Sequence, residues 1–229
     1  DLILTDDNLA HLPDGVAVGR KAHDNFRKGI TYYLSAKAIL LVVFLVPLAI
    51  GLPFPFTPIQ IITIELLMDL ASSTIFVSEG PEPGLMHRPP RRQARFLSWW
   101  VGRRILRNLV GLAATITVVY LASLTLGYGL AGARTAALAT WLLGHILLAM
   151  NLKQEQVPLL KQGLLANRFA AGWLVGMVVL VILMTTVPVV QMALNTAPLA
   201  ARQWALVVAG AALASAWLEV CKWLRITAS

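Results

Sequence analysis

The chain has 229 residues, of which 58% are hydrophobic and only 13% charged, values that a soluble domain of this length rarely reaches. The composition therefore predicts a membrane protein. A formal net charge of +8 is also typical of nucleic-acid-binding proteins. Here, however, the basic residues lie between apolar runs, as they do in membrane loops, so nucleic-acid binding is not expected.

The first 29 residues precede the apolar runs. The stretch "DLILT" at residues 1–5 predicts a short buried strand, and residues 14–28 predict a polar helix that runs directly into the apolar sequence from Ile30. A soluble element that continues into a membrane helix can transmit movement to it. The alternative is an ordinary juxtamembrane extension.

Six apolar runs of about 20 residues follow, the length that a helix needs to cross a hydrocarbon core of about 30 Å. The short connection "LPFPFT" predicts a tight hairpin between the first two, and the proline-rich residues 78–96 predict a loop. The predicted fold class is an all-α membrane protein, a bundle of six transmembrane helices with a short cytoplasmic N-terminal stub and stalk helix. The predicted spans are residues 30–51, 58–77, 105–126, 133–152, 172–194 and 203–226.

Lysine and arginine predict the orientation, because positively charged loops stay on the cytoplasmic side. Sixteen of the 19 basic residues flank the spans on one side, only Arg134 and Arg202 lie on the other, and Lys37 lies within the first span. The sequence thus predicts a multi-pass protein of the cell membrane with both termini in the cytoplasm. Membrane lipid is its first expected partner.

Three charged residues interrupt the first two spans, where charge is costly. Glu65 and Asp69 are four residues apart, which in an α-helix places both on one face, roughly 6 Å apart. Counted from the hairpin turn, the depths of Lys37 and Asp69 differ by about 5 Å, and Glu65 lies about 6 Å nearer the turn, so Asp69 is the better partner for Lys37. An isolated charge at mid-bilayer costs about 3 kcal/mol, so we expect Lys37 to be paired.

Lys37 is interpreted as a built-in positive charge in a cation site. Beside two carboxylates it leaves about one negative charge, too little for two divalent ions, which favours protons or one monovalent ion. The alternative is that the three residues only hold two helices together. Gln60 could lend an oxygen atom to the site. His145, alone in the fourth span, is either an ion-path residue or a hydrogen bond between helices.

Three stretches in this order resemble the P-type cation-transporting ATPases, most closely the branch that includes the calcium pumps. "LTDDNL" with "GRKAHDNFRKGITYYLS" is similar to the family's strand and stalk helix, "GLPFPFTPIQIITIELLMD" to its helix five to six hairpin, and "EPGLMHRPPR" to the cytoplasmic loop that follows. The resemblance implies that residues 1–29 are the end of the phosphorylation domain and the stalk helix. It implies that residues 30–229 are membrane helices five to ten, the C-terminal transmembrane cation-transport domain.

The resemblance also implies site residues. Asp69 matches the family's shared helix six aspartate, which makes Asp69, with Glu65 beside it, the expected cation or metal ligand. Other positions depart from the calcium pumps: Glu65 and Lys37 stand at asparagines, Leu40 at a glutamate, and His145 near a glutamate. These departures favour a proton or a monovalent ion, with calcium as the alternative.

The family's phosphorylation motif and nucleotide-binding domain have no counterpart in these 229 residues. The resemblance implies ATP and Mg²⁺ as cofactors of the parent pump, none of them held by this chain, which should not hydrolyse ATP alone. The expected partners besides lipid are the transported cation and the missing N-terminal part of the pump. The predicted function is the membrane-transport half of an ATP-driven cation pump, and the alternative is a non-catalytic pseudo-pump remnant with a structural or partner-binding role.

Overall fold

A computed structural model describes residues 11–89, 99–153 and 167–226, without the side chains of residues 67–73, 100 and 221–226. Within these ranges the regular structure is helical and contains no strand. The strand predicted at residues 1–5 lies outside the described residues. The helices are α1 (Leu12–Ala49), α2 (Pro58–Thr63), α3 (Leu70–Ser78), α4 (Trp99–Thr125), α5 (Gly129–Lys153), α6 (Arg168–Thr186), α7 (Pro188–Leu194) and α8 (Ala201–Ile226), with a π-helical turn at Ile64–Asp69 and a 3₁₀ turn at Leu85–His87.

Five helices are long and apolar enough to cross a membrane: α1, α4, α5, α6 and α8. The prediction of an all-helical, multi-pass membrane protein is therefore confirmed at this level. The predicted span at residues 58–77 is helical throughout, but it consists of α2, the π-helical turn and α3. No single α-helix in that segment has the length of a span.

α1 is one uninterrupted helix of 38 residues, about 57 Å long at 1.5 Å per residue. It is about twice as long as the hydrocarbon core is thick. Pro13 lies in its first turn, where a missing N–H group costs nothing because the first N–H groups of a helix have no partner in the helix. The polar residues 14–28 and the apolar residues after Ile30 thus form a single rigid element.

The prediction of one continuous span over residues 172–194 is wrong. α6 ends at Thr186 and α7 begins at Pro188. Proline has no N–H to donate and disfavours helical backbone in the residue before it, and Val187 is accordingly extended, with φ −97° and ψ 116°. α6 begins earlier than predicted, at Arg168, and its 19 residues are still long enough for a span.

α5 forms the centre of the bundle and packs against α4, α8, α6 and α1. It is rich in alanine and glycine, and 19 of its 25 residues are buried. Small residues let helix backbones approach closely in a membrane bundle. At Gly144 the approach is so close that an added β-carbon would collide with the side chain of Leu112 in α4.

The turn between α1 and α2 is fixed to its neighbours at one end of the bundle, which we name the turn end. The Tyr120 hydroxyl donates to the Pro53 carbonyl at 2.7 Å, and Arg134 Nε donates to the Phe54 carbonyl at 2.9 Å. We name the opposite end, where α5 ends at Lys153 and α6 begins at Arg168, the basic end.

Candidate functional site

Lys37 of α1 and Glu65 of the π-helical turn form an ion pair between Nζ and Oε2. The ammonium group also lies 4.9 Å from the centre of the Tyr33 ring, within the range of a cation–π contact. The Lys37 and Glu65 side chains are 30% and 40% exposed, so the pair lies on a face that the described helices leave partly open. The structure thus brings together two of the predicted site residues.

Asp69 is the last residue of the π-helical turn, but its side chain lies outside the described part of the chain. Its predicted contact with Lys37 therefore stays a prediction. The same holds for its role as a metal ligand with Glu65. Among the side chains that the structure does describe, no three His, Cys, Asp or Glu residues come together as metal ligands.

The π-helical turn is the part of the site that the sequence pattern did not predict. The expected α-helix through residues 58–77 is wrong over Ile64–Asp69, where hydrogen bonds run from i to i+5 and widen the helix. The α-helical spacing assumed for Glu65 and Asp69 does not apply to such a turn. Single-turn π segments occur frequently at functional sites, and this one carries Glu65 and Asp69.

Gln60 is buried at the start of α2, near the turn end. Its Oε1 accepts from the Thr57 backbone N–H at 3.1 Å, and its Nε2 donates to the Asn195 carbonyl at 2.8 Å. Gln60 therefore caps α2 and fixes it to the segment after α7. Its use as a cation ligand stays a prediction.

His145 is buried in α5 among aromatic side chains. Its ring stacks on Trp141 with 4.1 Å between centroids and meets the ring of Tyr32 edge-on at 6.0 Å. Its Nδ1 is 2.9 Å from the Trp141 carbonyl. These contacts connect α5 to α1, and a role of His145 in an ion path stays a prediction.

A second group of charged residues lies at the basic end and was missed by the sequence analysis. Lys28 Nζ lies 2.7 Å from Glu82 Oε1 and donates to the Lys153 carbonyl at 2.9 Å, and Lys153 Nζ lies 3.5 Å from Glu79 Oε2. All four side chains are at most 4% exposed, so each charge depends on its partners. We name these four residues the ionic cluster.

The loop after α3 connects this cluster to the first part of α1. Arg88 contacts Asp24 Oδ2 at 2.8 Å and Glu82 Oε2 at 3.1 Å, and Arg20 donates to the Leu85 carbonyl at 3.1 Å. Acidic residues in a polar, proline-rich loop look solvent-exposed in the sequence. Only the packing of the helices shows that they are buried against basic residues far away in the chain.

Comparison with known proteins gives a consistent result. The family model "Cation transporting ATPase, C-terminus" matches residues 53–224. The chain is 30% identical over 205 residues to a probable cation-transporting ATPase F of Mycobacterium tuberculosis, a match that covers 89% of this chain and 23% of that protein.

Two further relatives match over different lengths. A calcium-transporting ATPase of Bacillus subtilis is 28% identical over 218 residues, covering 93% of this chain and 24% of the relative. A potassium-transporting ATPase alpha chain 2 of Cavia porcellus is 38% identical over 95 residues, covering 42% of this chain and 9% of the relative. The chain thus spans a quarter or less of the length of these relatives.

Proposed function

The chain belongs to the P-type cation-transporting ATPases, as their C-terminal membrane portion, and on this premise we propose that it is the membrane-transport half of an ATP-driven pump. The observation that carries the proposal is the Lys37–Glu65 ion pair within the apolar part of the bundle. Binding and hydrolysis of ATP with Mg²⁺ are assigned to parts of the pump outside these 229 residues.

The proposal includes residues 58–78 as a sixth span. The segment has 21 consecutive helical residues, enough to cross the hydrocarbon core. Its two ends have partners at opposite ends of the bundle, because Gln60 contacts Asn195 and Ser78 contacts Asn167. By the positive-inside rule the basic end is cytoplasmic, and both termini are then cytoplasmic as well.

Labelling of single cysteines tests this orientation after Cys221 has been replaced by alanine. Met86, in the loop after α3, and Leu126, in the turn after α4, are 44% and 56% exposed, so a reagent can reach either position. An impermeant maleimide is expected to label Leu126→Cys in intact cells. It is expected to label Met86→Cys only after the cells have been permeabilised. Labelling of both from the same side would contradict the six-span arrangement.

The partly open face around Lys37 and Glu65 supports the N-terminal part of the pump as a partner of this chain. Charged side chains facing lipid at mid-bilayer are costly, so protein is expected to cover this face. Leu41 and Leu66, both more than half exposed, extend the face with apolar surface. We assign this face to the N-terminal part of the pump, whether it belongs to the same chain or to another.

The charge at the site supports a proton or a monovalent cation as the transported ion. Calcium takes six to eight oxygen ligands, whereas this site has the positive charge of Lys37 and the apolar Leu40 where the calcium pumps have oxygen ligands. The match to a potassium-transporting relative agrees with a monovalent ion. Calcium is the alternative, favoured by the name of the Bacillus subtilis relative.

A non-catalytic role as a structural or partner-binding membrane protein is the second candidate function. The contact of Lys37 with Glu65 would also serve to hold two helices together. The two candidates differ in one respect that can be measured: only a transport site changes its ion dependence when Lys37 is removed.

The uninterrupted α1 and the ionic cluster support a route for coupling ATP hydrolysis to transport. Lys28 lies on the same rigid helix as Lys37, nine residues before it. Through Lys28, the helix is bonded to the end of α5 and to the loop after α3. A movement imposed on the first part of α1 would therefore reach the cation site together with these neighbouring elements.

A further inference from the structure

We propose that one water molecule is bound between α4, α5 and α8, where it completes the hydrogen bonding of Asn108. A cavity of about 10 Å³ lies between these helices, with Asn108 and Ser215 as its polar lining residues and Leu112 and Leu148 among the apolar ones. This volume is at the lower limit of what one water molecule requires. The site is separate from the residues of the proposed cation site.

The hydrogen bonds of Ser35 determine how the Asn108 amide is oriented. The Ser35 hydroxyl donates to the Thr31 carbonyl at 2.7 Å, so its proton is used and it accepts from Asn108 Nδ2 at 3.0 Å. The Asn108 Oδ1 atom is therefore the acceptor that remains. It is buried and has no hydrogen-bond partner within the described residues.

A buried amide oxygen needs a donor, because an unsatisfied polar atom in a membrane bundle is costly. Water can donate one hydrogen bond to Asn108 Oδ1. It can also donate a second hydrogen bond to the Ser215 hydroxyl or accept one from it, and Ser215 is largely buried in α8. A metal cation would need more oxygen ligands than this largely apolar cavity supplies. The site thus fits water in both size and chemistry.

The bound water would complete a chain of hydrogen bonds across three helices. The chain begins at Thr31 and Ser35 of α1, passes through Asn108 of α4 and ends at Ser215 of α8. α1 also carries Lys37, so the water would help to fix the helix of the proposed cation site against the rest of the bundle.

Thermal unfolding of the purified protein in lipid nanodiscs tests the proposal through the variant Ser215→Val. If water fills the cavity, valine displaces it and leaves Asn108 Oδ1 without a donor, so we expect the midpoint temperature to fall by several degrees. In an Asn108→Leu background the same substitution should have no such effect, because no amide oxygen remains there. A midpoint that rises in the wild-type background indicates a dry cavity filled by valine and would overturn the proposal, as would an equal fall in both backgrounds, which indicates steric clash.

A density map of the same protein in nanodiscs provides an independent test that needs no variant. The proposal predicts a peak within about 3.2 Å of Asn108 Oδ1. An empty cavity in a map that resolves other buried waters would overturn it.

Discussion

Replacement of Glu65 by glutamine is expected to weaken the apparent affinity of the complete pump for its transported cation at least about tenfold. Hydrogen bonds to charged groups contribute about 1.5–3 kcal/mol, and about 1.4 kcal/mol corresponds to a tenfold change in affinity. The substitution keeps the size of the side chain but removes the charge that pairs with Lys37. Cation-stimulated ATP hydrolysis, measured over a range of cation concentrations, gives the apparent affinity.

The matched control for Glu65→Gln is Asp14→Asn, which removes a carboxylate from the exposed first turn of α1 and should leave cation affinity unchanged. The effect of the double variant Lys37→Ala/Glu65→Gln on affinity should differ from the sum of the effects of the two single variants, because the two side chains are in contact. If Glu65→Gln binds the cation with wild-type affinity, Glu65 is not part of the proposed cation site.

Replacement of Lys28 by methionine is expected to destabilise the protein by about 1.5–3 kcal/mol, because the buried Glu82 carboxylate loses a charged hydrogen-bond partner while it keeps its contact with Arg88. Glu82 would lose the ammonium group 2.7 Å from its carboxylate, and the Lys153 carbonyl would lose its donor. The measurement is thermal unfolding in lipid nanodiscs, monitored by tryptophan fluorescence.

Two variants make the Lys28 result specific. Lys21→Met removes a lysine of α1 that lies outside the ionic cluster, and it should have little effect on stability. Lys28→Met/Glu82→Met removes both buried charges and should recover much of the lost stability, because a buried ion pair can be replaced by apolar side chains at little cost. If Lys28→Met unfolds at the wild-type temperature, the cluster does not hold α1 to its neighbours.

The membrane class and most of the spans could be predicted because a bilayer imposes a simple rule. Backbone polar groups have no water to bond with in the hydrocarbon core, so long apolar runs must be helical. The break between α6 and α7 was missed because the apolar run continues through Val187 and Pro188. In this run the lack of an N–H group in proline outweighed the hydropathy pattern.

The details of the candidate site were less predictable, because they depend on local helix geometry and on distant contacts. The structure pairs Lys37 with Glu65 in a π-helical turn, to which the α-helical rise used to count depths does not apply. The predicted contact of Lys37 with Asp69 stays a prediction. Hydropathy cannot distinguish an α-helix from a π-helix. The partners Lys28 and Lys153 are 125 residues apart, so no local pattern could have joined them.

The central claim is that Lys37 is a fixed positive charge within a cation site, and its most direct test is cation-stimulated ATP hydrolysis by the complete pump. The activities of wild type, Lys37→Ala and the charge-preserving Lys37→Arg are compared across protons, sodium, potassium, calcium and magnesium. We predict that Lys37→Ala gains response to an additional or more highly charged cation, because two carboxylates lose their fixed counter-charge, while Lys37→Arg stays close to wild type. An unchanged ion profile in Lys37→Ala, together with reduced stability, would contradict the claim and make Lys37 a clamp between helices, and a wild type that responds to none of these cations would favour the non-catalytic role.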